Sequence, residues 1–127
     1  MAGTLTLTTL SDGTNSTSAT NPIRGSARAW VYYNGSTQTI ISSFNISSVT
    51  RTATGYFTVV FTNAMSNANY VVAGSVSEST GGTASTSWTM RDVNNPRTTT
   101  TFYIWTLVSS GTAFNDNPNI NLIVFGT

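Results

Sequence analysis

The chain has 127 residues and a net charge of +1; only 7% of its residues are charged, and it contains no Cys and no His. Those absences remove disulfides, thiolate nucleophiles, imidazole bases and zinc sites built on His or Cys. Five scattered arginines do not make the clustered basic patch that nucleic acid requires, and no apolar run approaches the length of a membrane span.

Thr (25), Ser (17) and Asn (13) dominate the polar residues, so the surface is coated with hydroxyls and amides rather than charges. Thr4–Leu10 alternates leucine with threonine, which predicts a short strand or an extended arm carrying Leu5, Leu7 and Leu10. It is either the first strand of the domain or an arm that pairs with a neighbouring sheet edge. The polar run Ser11–Asn21 reads as a loop, with Asp12-Gly13 as its turn signal. Residues 1–24 are therefore expected to form an arm and loop ahead of one β domain over 25–127.

Gly25–Val76 is the best-patterned stretch. In Ser26–Tyr33, Ala27, Ala29, Val31 and Tyr33 point one way, and Arg28, Trp30 and Tyr32 point the other. Asn34-Gly35 follows, and both residues tolerate the positive φ angles of a type I′ hairpin turn. Thr39–Ile46 predicts a strand bent near Ser42-Ser43, and Ser47–Gly55 a polar connection or, in part, an edge strand. Tyr56–Thr62 puts Phe57, Val59 and Phe61 on one face, and Asn69–Val76 predicts a further strand.

Beyond the Gly81-Gly82 turn, Ser85–Arg91 alternates again. Thr98–Ser109 holds a long strand, and Ile120–Phe125 closes the chain. Seven or eight short strands with no helical period predict an antiparallel β-sandwich, jelly-roll-like. The last two strands are apolar on both faces: Tyr103, Trp105 and Leu107, and likewise Ile123 and Phe125, oppose faces that are already apolar. A sandwich strand needs only one such face, so the second implies another layer, most simply another subunit. These five residues are the expected interface of a homo-oligomer, with a trimer favoured.

Catalytic chemistry finds little support. Glu78 and Asp92 are the one carboxylate couple near strand ends, and both lie beside turns where solvated carboxylates are commonplace. Asp12 and Asp116 read as turn formers bonding their own backbone. No Ser-centred elbow, phosphate loop or calcium-ligand spacing occurs, so no catalytic, cofactor or metal site is expected. Trp30, Tyr32, Tyr33, Trp88, Tyr103 and Trp105 read as core or interface packing ahead of a sugar-stacking platform. The three Asn-x-Ser/Thr triplets, beginning at Asn15, Asn34 and Asn45, are expected by chance in such a composition.

One further reading comes from resemblance. Ala27-Arg28-Ala29-Trp30-Val31, Asn34-Gly35 and Ser43-Phe44-Asn45-Ile46-Ser47-Ser48-Val49-Thr50 resemble a module of structural proteins of tailed bacteriophages. The similarity continues through Gly55-Tyr56-Phe57-Thr58-Val59 and Phe61-Thr62-Asn63-Ala64-Met65 to Ala68-Asn69-Tyr70, and covers roughly Ser11–Val76. It implies a non-enzymatic virion component, made in the host cytoplasm. Two locations compete. A head decoration or cement protein would dock on the major capsid protein through the arm at Leu5, Leu7 and Leu10. A tail-fibre or tail-tip domain would touch a host surface glycan or protein. Length favours the first, since a fibre tip ordinarily follows an adaptor and a shaft.

Overall fold

The structure, a computed structural model, describes residues 3, 6–19, 25–77, 87–92, 94–108 and 113–126. Ten strands lie within them: β1 (Thr9–Ser11), β2 (Ser16–Ser18), β3 (Ala27–Asn34), β4 (Thr39–Phe44), β5 (Ile46–Ala53), β6 (Tyr56–Phe61), β7 (Val71–Ser77), β8 (Ser87–Met90), β9 (Thr101–Leu107) and β10 (Asn119–Phe125). All pairings are antiparallel, and the chain is an all-β sandwich. Sheet I has the order β4-β3-β10-β7 and sheet II the order β5-β6-β9-β8; β1 and β2 pair only with each other.

Alternation along the strands decides which side chains enter the core. Ala29, Val31 and Tyr33 of β3 and Ile120, Leu122 and Val124 of β10 project inward from sheet I. They meet Phe57, Val59 and Phe61 of β6 and Phe102 and Ile104 of β9, with Met65 and Tyr70 closing one end. Removing a large apolar side chain of this kind from water contributes about 1.5–3 kcal/mol. Phe61, Tyr70 and Phe102 pack ring against ring, with centroids 5.4–6.2 Å apart.

The two sheets are joined at both sides. On one side β4 runs into β5 through Asn45, whose φ of 55° lies in the left-handed region. Asparagine tolerates this conformation because its short amide bonds locally. Asn45 Nδ2 donates to the carbonyls of Arg28 (3.1 Å) and Asn63 (3.2 Å), while Oδ1 accepts the Asn63 amide at 2.8 Å. One side chain thus ties β3, the sheet-to-sheet corner and the segment after β6. On the opposite side Trp88 of β8 donates its Nε1 to the Gly74 carbonyl of β7 at 3.1 Å.

Three local expectations are sharpened by the structure. The bend expected near Ser42-Ser43 has its counterpart in the register shift of the β3–β4 pairing between Ile40 and Ser42, and the strand predicted over Thr39–Ile46 is also broken by the left-handed turn at Asn45. Ser47–Gly55, read as a connection or in part an edge strand, is mostly strand β5; it does sit at the edge of sheet II, and register shifts at both ends of its pairing interrupt its alternation. The β3–β4 turn is not built on positive φ at Asn34-Gly35. The left-handed residue there is Gln38 (φ 56°), and Asn34 Oδ1 accepts the Thr37 amide at 2.9 Å. Gly35 serves another purpose: its amide donates to the Asn117 carbonyl, and a Cβ would stand 2.6 Å from that oxygen. The residue is glycine for close approach, not for turn geometry.

Candidate binding surfaces

The N-terminal hairpin pairs with neither large sheet. Its strands are three residues each, in the register Thr9↔Ser18, Leu10↔Thr17 and Ser11↔Ser16, and every strand residue is exposed. Asp12 closes the turn as expected, its Oδ1 accepting the Thr14 and Asn15 amides at 2.9 and 2.7 Å. Those bonds, the Asn15 amide first, hold its carboxyl below the ordinary range. Ser16–Ser18, read as loop, supplies the second strand. Leu7 and Leu10 are 45% and 41% exposed, while Leu5 lies outside the described residues.

The five residues expected at an oligomer interface do not form one surface. Tyr103, Trp105 and Leu107 lie on the outer face of sheet II, Ile123 and Phe125 on the outer face of sheet I, and all five are half-buried. On sheet II the extra layer comes in part from the chain itself. Phe114 packs against Tyr56 and Trp105 at 4.5 and 5.4 Å between centroids. The Arg91 guanidinium lies 5.3 and 5.1 Å from the same two rings, within cation–π range. The Phe114 segment is fixed by main-chain bonds from Val108 to Ala113 and from Asn115 to Thr106.

Sheet I has no comparable cap among the described residues. Its registers align Phe44 with Trp30, Trp30 with Ile123, and Ile123 with Ala73. One apolar row therefore crosses all four strands, from edge to edge. Phe125 and Val71 form a shorter row beside it. Phe44 is 54%, Trp30 37% and Val71 63% exposed. The next row, Ser42, Tyr32, Asn121 and Ser75, is polar, and Tyr32 Oη donates to Asn119 Oδ1 at 2.9 Å. Sequence reasoning missed Phe44 and Val71 because alternation names the outward residues but not the register that aligns them.

At one end of the apolar row an open groove of about 600 Å³ lies against the Asn45 corner. Arg28, Phe44, Asn45, Thr62, Asn63 and Ser66 line it, with Met65 among its apolar residues. Arg28 Nε donates to the Gly126 carbonyl at 3.0 Å.

The remaining charges of the described residues pair off. Arg51 Nε donates to Asp116 Oδ2 at 2.7 Å, and Asp116 Oδ1 accepts the Gly55 amide at 2.8 Å. Asp116 thus binds a distant hairpin rather than its own backbone, which corrects its reading as a local turn former. Arg97 forks onto Asp92 through Nε and Nη2, and its Nη1 donates to the Tyr70 carbonyl. Glu78 lies outside the described residues, so the geometry of the Glu78–Asp92 couple is not defined. Among the described residues no group of three or more His, Cys, Asp or Glu side chains converges as a metal site, and no helix is long and apolar enough to cross a membrane.

No family model, curated protein or solved structure matches the chain. Function therefore rests on the surfaces themselves: a hairpin paired with neither large sheet, an apolar row with no cap among the described residues, and a groove.

Proposed function

We propose that this chain is a structural component of a tailed-phage particle, a decoration or cement protein that docks on the outside of the head as an oligomer. The observation that carries the reading is the N-terminal hairpin. Isolated two-stranded hairpins are marginal in water, and this one pairs with neither sheet of the sandwich and leaves Leu7 and Leu10 45% and 41% exposed. A partner surface that covers those leucines, or a sheet edge that extends the hairpin, supplies the missing burial. The resemblance of the Ala27–Tyr70 segments to phage structural proteins supports the same role.

In this role the work is mechanical. The sandwich is a stiff body, the hairpin is its anchor to the capsid protein, and the Trp30–Ile123 row is its contact with a second copy. Many weak contacts, summed over copies, bridge neighbouring capsid subunits and resist internal pressure. Deleting Met1–Leu10 tests the anchor. The truncated protein should keep its fold and lose cosedimentation with undecorated heads; saturation of heads by the truncated form overturns the docking role.

A tail-fibre or tail-tip domain is the second reading. The open groove beside Phe44 and Arg28 favours it, since a host-surface ligand needs such an accessible recess.

A further inference from the structure

We infer that the groove at the Asn45 corner binds a carboxylated sugar unit, an interaction that goes beyond docking on a particle. Its volume of about 600 Å³ falls in the range of small-ligand sites. Among the described residues its charge is unbalanced. The described carboxylates are all engaged elsewhere: Asp12 in its own turn, Asp92 with Arg97, and Asp116 with Arg51. None lines the groove, yet Arg28 does. With Nε held by the Gly126 carbonyl, its two terminal nitrogens have no protein partner among the described residues. A guanidinium fixed at one nitrogen and open at the others suits a carboxylate, which it meets through paired N–H donors.

The other walls specify the body of the ligand. Phe44, half exposed on an edge strand, offers a ring face to the C–H face of a pyranose. Its direction follows from the fold. A register shift in the β3–β4 pairing and the left-handed turn at Asn45 together set where this end of β4 points. The Thr62 and Ser66 hydroxyls and Asn63 Oδ1 make no hydrogen bond within the described residues, and so can meet sugar hydroxyls.

The backbone around the groove argues against an extended peptide as the occupant. The carbonyls of Arg28 and Asn63 already accept from Asn45 Nδ2, the Asn45 carbonyl accepts from Thr62, and the Asn63 amide donates to Asn45 Oδ1. These main-chain groups are not free to take an added strand. Recognition falls to side chains, which suits a compact ligand.

Titration of the full chain with trigalacturonic acid tests the assignment, followed by calorimetry and amide NMR. The expected result is saturable binding, with shifts centred on Arg28, Asn45 and Asn63 and weakening as salt rises. The methyl-esterified trisaccharide should bind about tenfold more weakly or worse, because it lacks the charge that Arg28 meets. Phe44→Ala should weaken binding about fivefold or more while leaving the fold intact, since the ring is exposed. Absence of saturable binding overturns the inference, as does equal affinity for the ester. A tri-aspartate peptide binding as tightly as the sugar would overturn it in favour of an acidic protein partner. Head docking is read on a different part of the chain, so the two tests fail independently.

Discussion

Asp116 and Arg51 stand 65 positions apart in the chain and are joined at 2.7 Å, with the free Asp116 oxygen taking the Gly55 amide. That relationship locks the β5–β6 hairpin to the segment ahead of β10. Gly55 adopts φ 71° there, and a Cβ would stand 2.5 Å from the Thr106 carbonyl, so only glycine fits. The side chains of the pair are 28% and 23% exposed. Asp116→Ala should cost about 2 kcal/mol in urea unfolding, because it strands an amide as well as a guanidinium. Arg51→Ala should cost less, about 1 kcal/mol, since Gly55 keeps its acceptor. Equal losses would mean that the ion pair, not the amide, dominates.

Two buried tyrosines should respond differently to loss of their hydroxyls. Tyr70 Oη donates its proton toward the carbonyls of Thr98 (2.9 Å) and Thr101 (3.2 Å). Tyr33 Oη is buried with no protein partner among the described residues. Tyr70→Phe should therefore destabilise by about 1 kcal/mol, and Tyr33→Phe should be neutral or mildly stabilising. Denaturant midpoints of the two variants check this, and a comparable loss in both would contradict it.

Tyr70 also sets an alkaline limit. Burial, opposed by the nearby Arg97 charge, pushes its phenol from 10.0 up to about 12. The unfolded chain thus releases this proton first. The stabilising contribution is complete below pH 10 and is lost as pH rises from 10 to about 12, a change on the order of 2–3 kcal/mol. Burial raises Tyr33 in the same direction. Stability measured from pH 9 to 12 should fall less steeply in Tyr70→Phe than in the parent chain.

The corner at Asn45 gives a backbone test. Asn45→Gly keeps the left-handed conformation but loses the side-chain bonds, whereas Asn45→Val loses the bonds and adds steric strain. The valine variant should be less stable than the glycine variant by about 1–2 kcal/mol. Thermal unfolding distinguishes them, and equal midpoints would mean that the corner relaxes without strain.

What could be read from the sequence follows from where the information lies. The core was legible because Ala29, Val31 and Tyr33, and Phe57, Val59 and Phe61, alternate within single strands. The tie between Asp116 and Arg51 was not, since no local pattern connects positions so far apart. Alternation places Trp105 outward, but its cover, Phe114, comes from a segment with no strand period. The Phe44–Trp30–Ile123–Ala73 row depends on three separate registers, none of them visible until the strands are paired.

Those registers also separate the two outer faces as interface candidates. If sheet I meets a second copy, Ile123→Lys should convert the oligomer to a folded monomer in light scattering. Trp105→Ala should instead lower stability by about 2–4 kcal/mol, because it uncovers Phe114 and Tyr56 within one chain. A stable monomer of the unaltered protein at micromolar concentration would remove the oligomer.

The ratio of this chain to the major capsid protein in purified particles, measured by quantitative mass spectrometry, tests the proposed role most directly. A decoration protein should be present in fixed, simple proportion to the capsid protein and lost with stripped heads. A few copies per particle, retained on isolated tails, would contradict it.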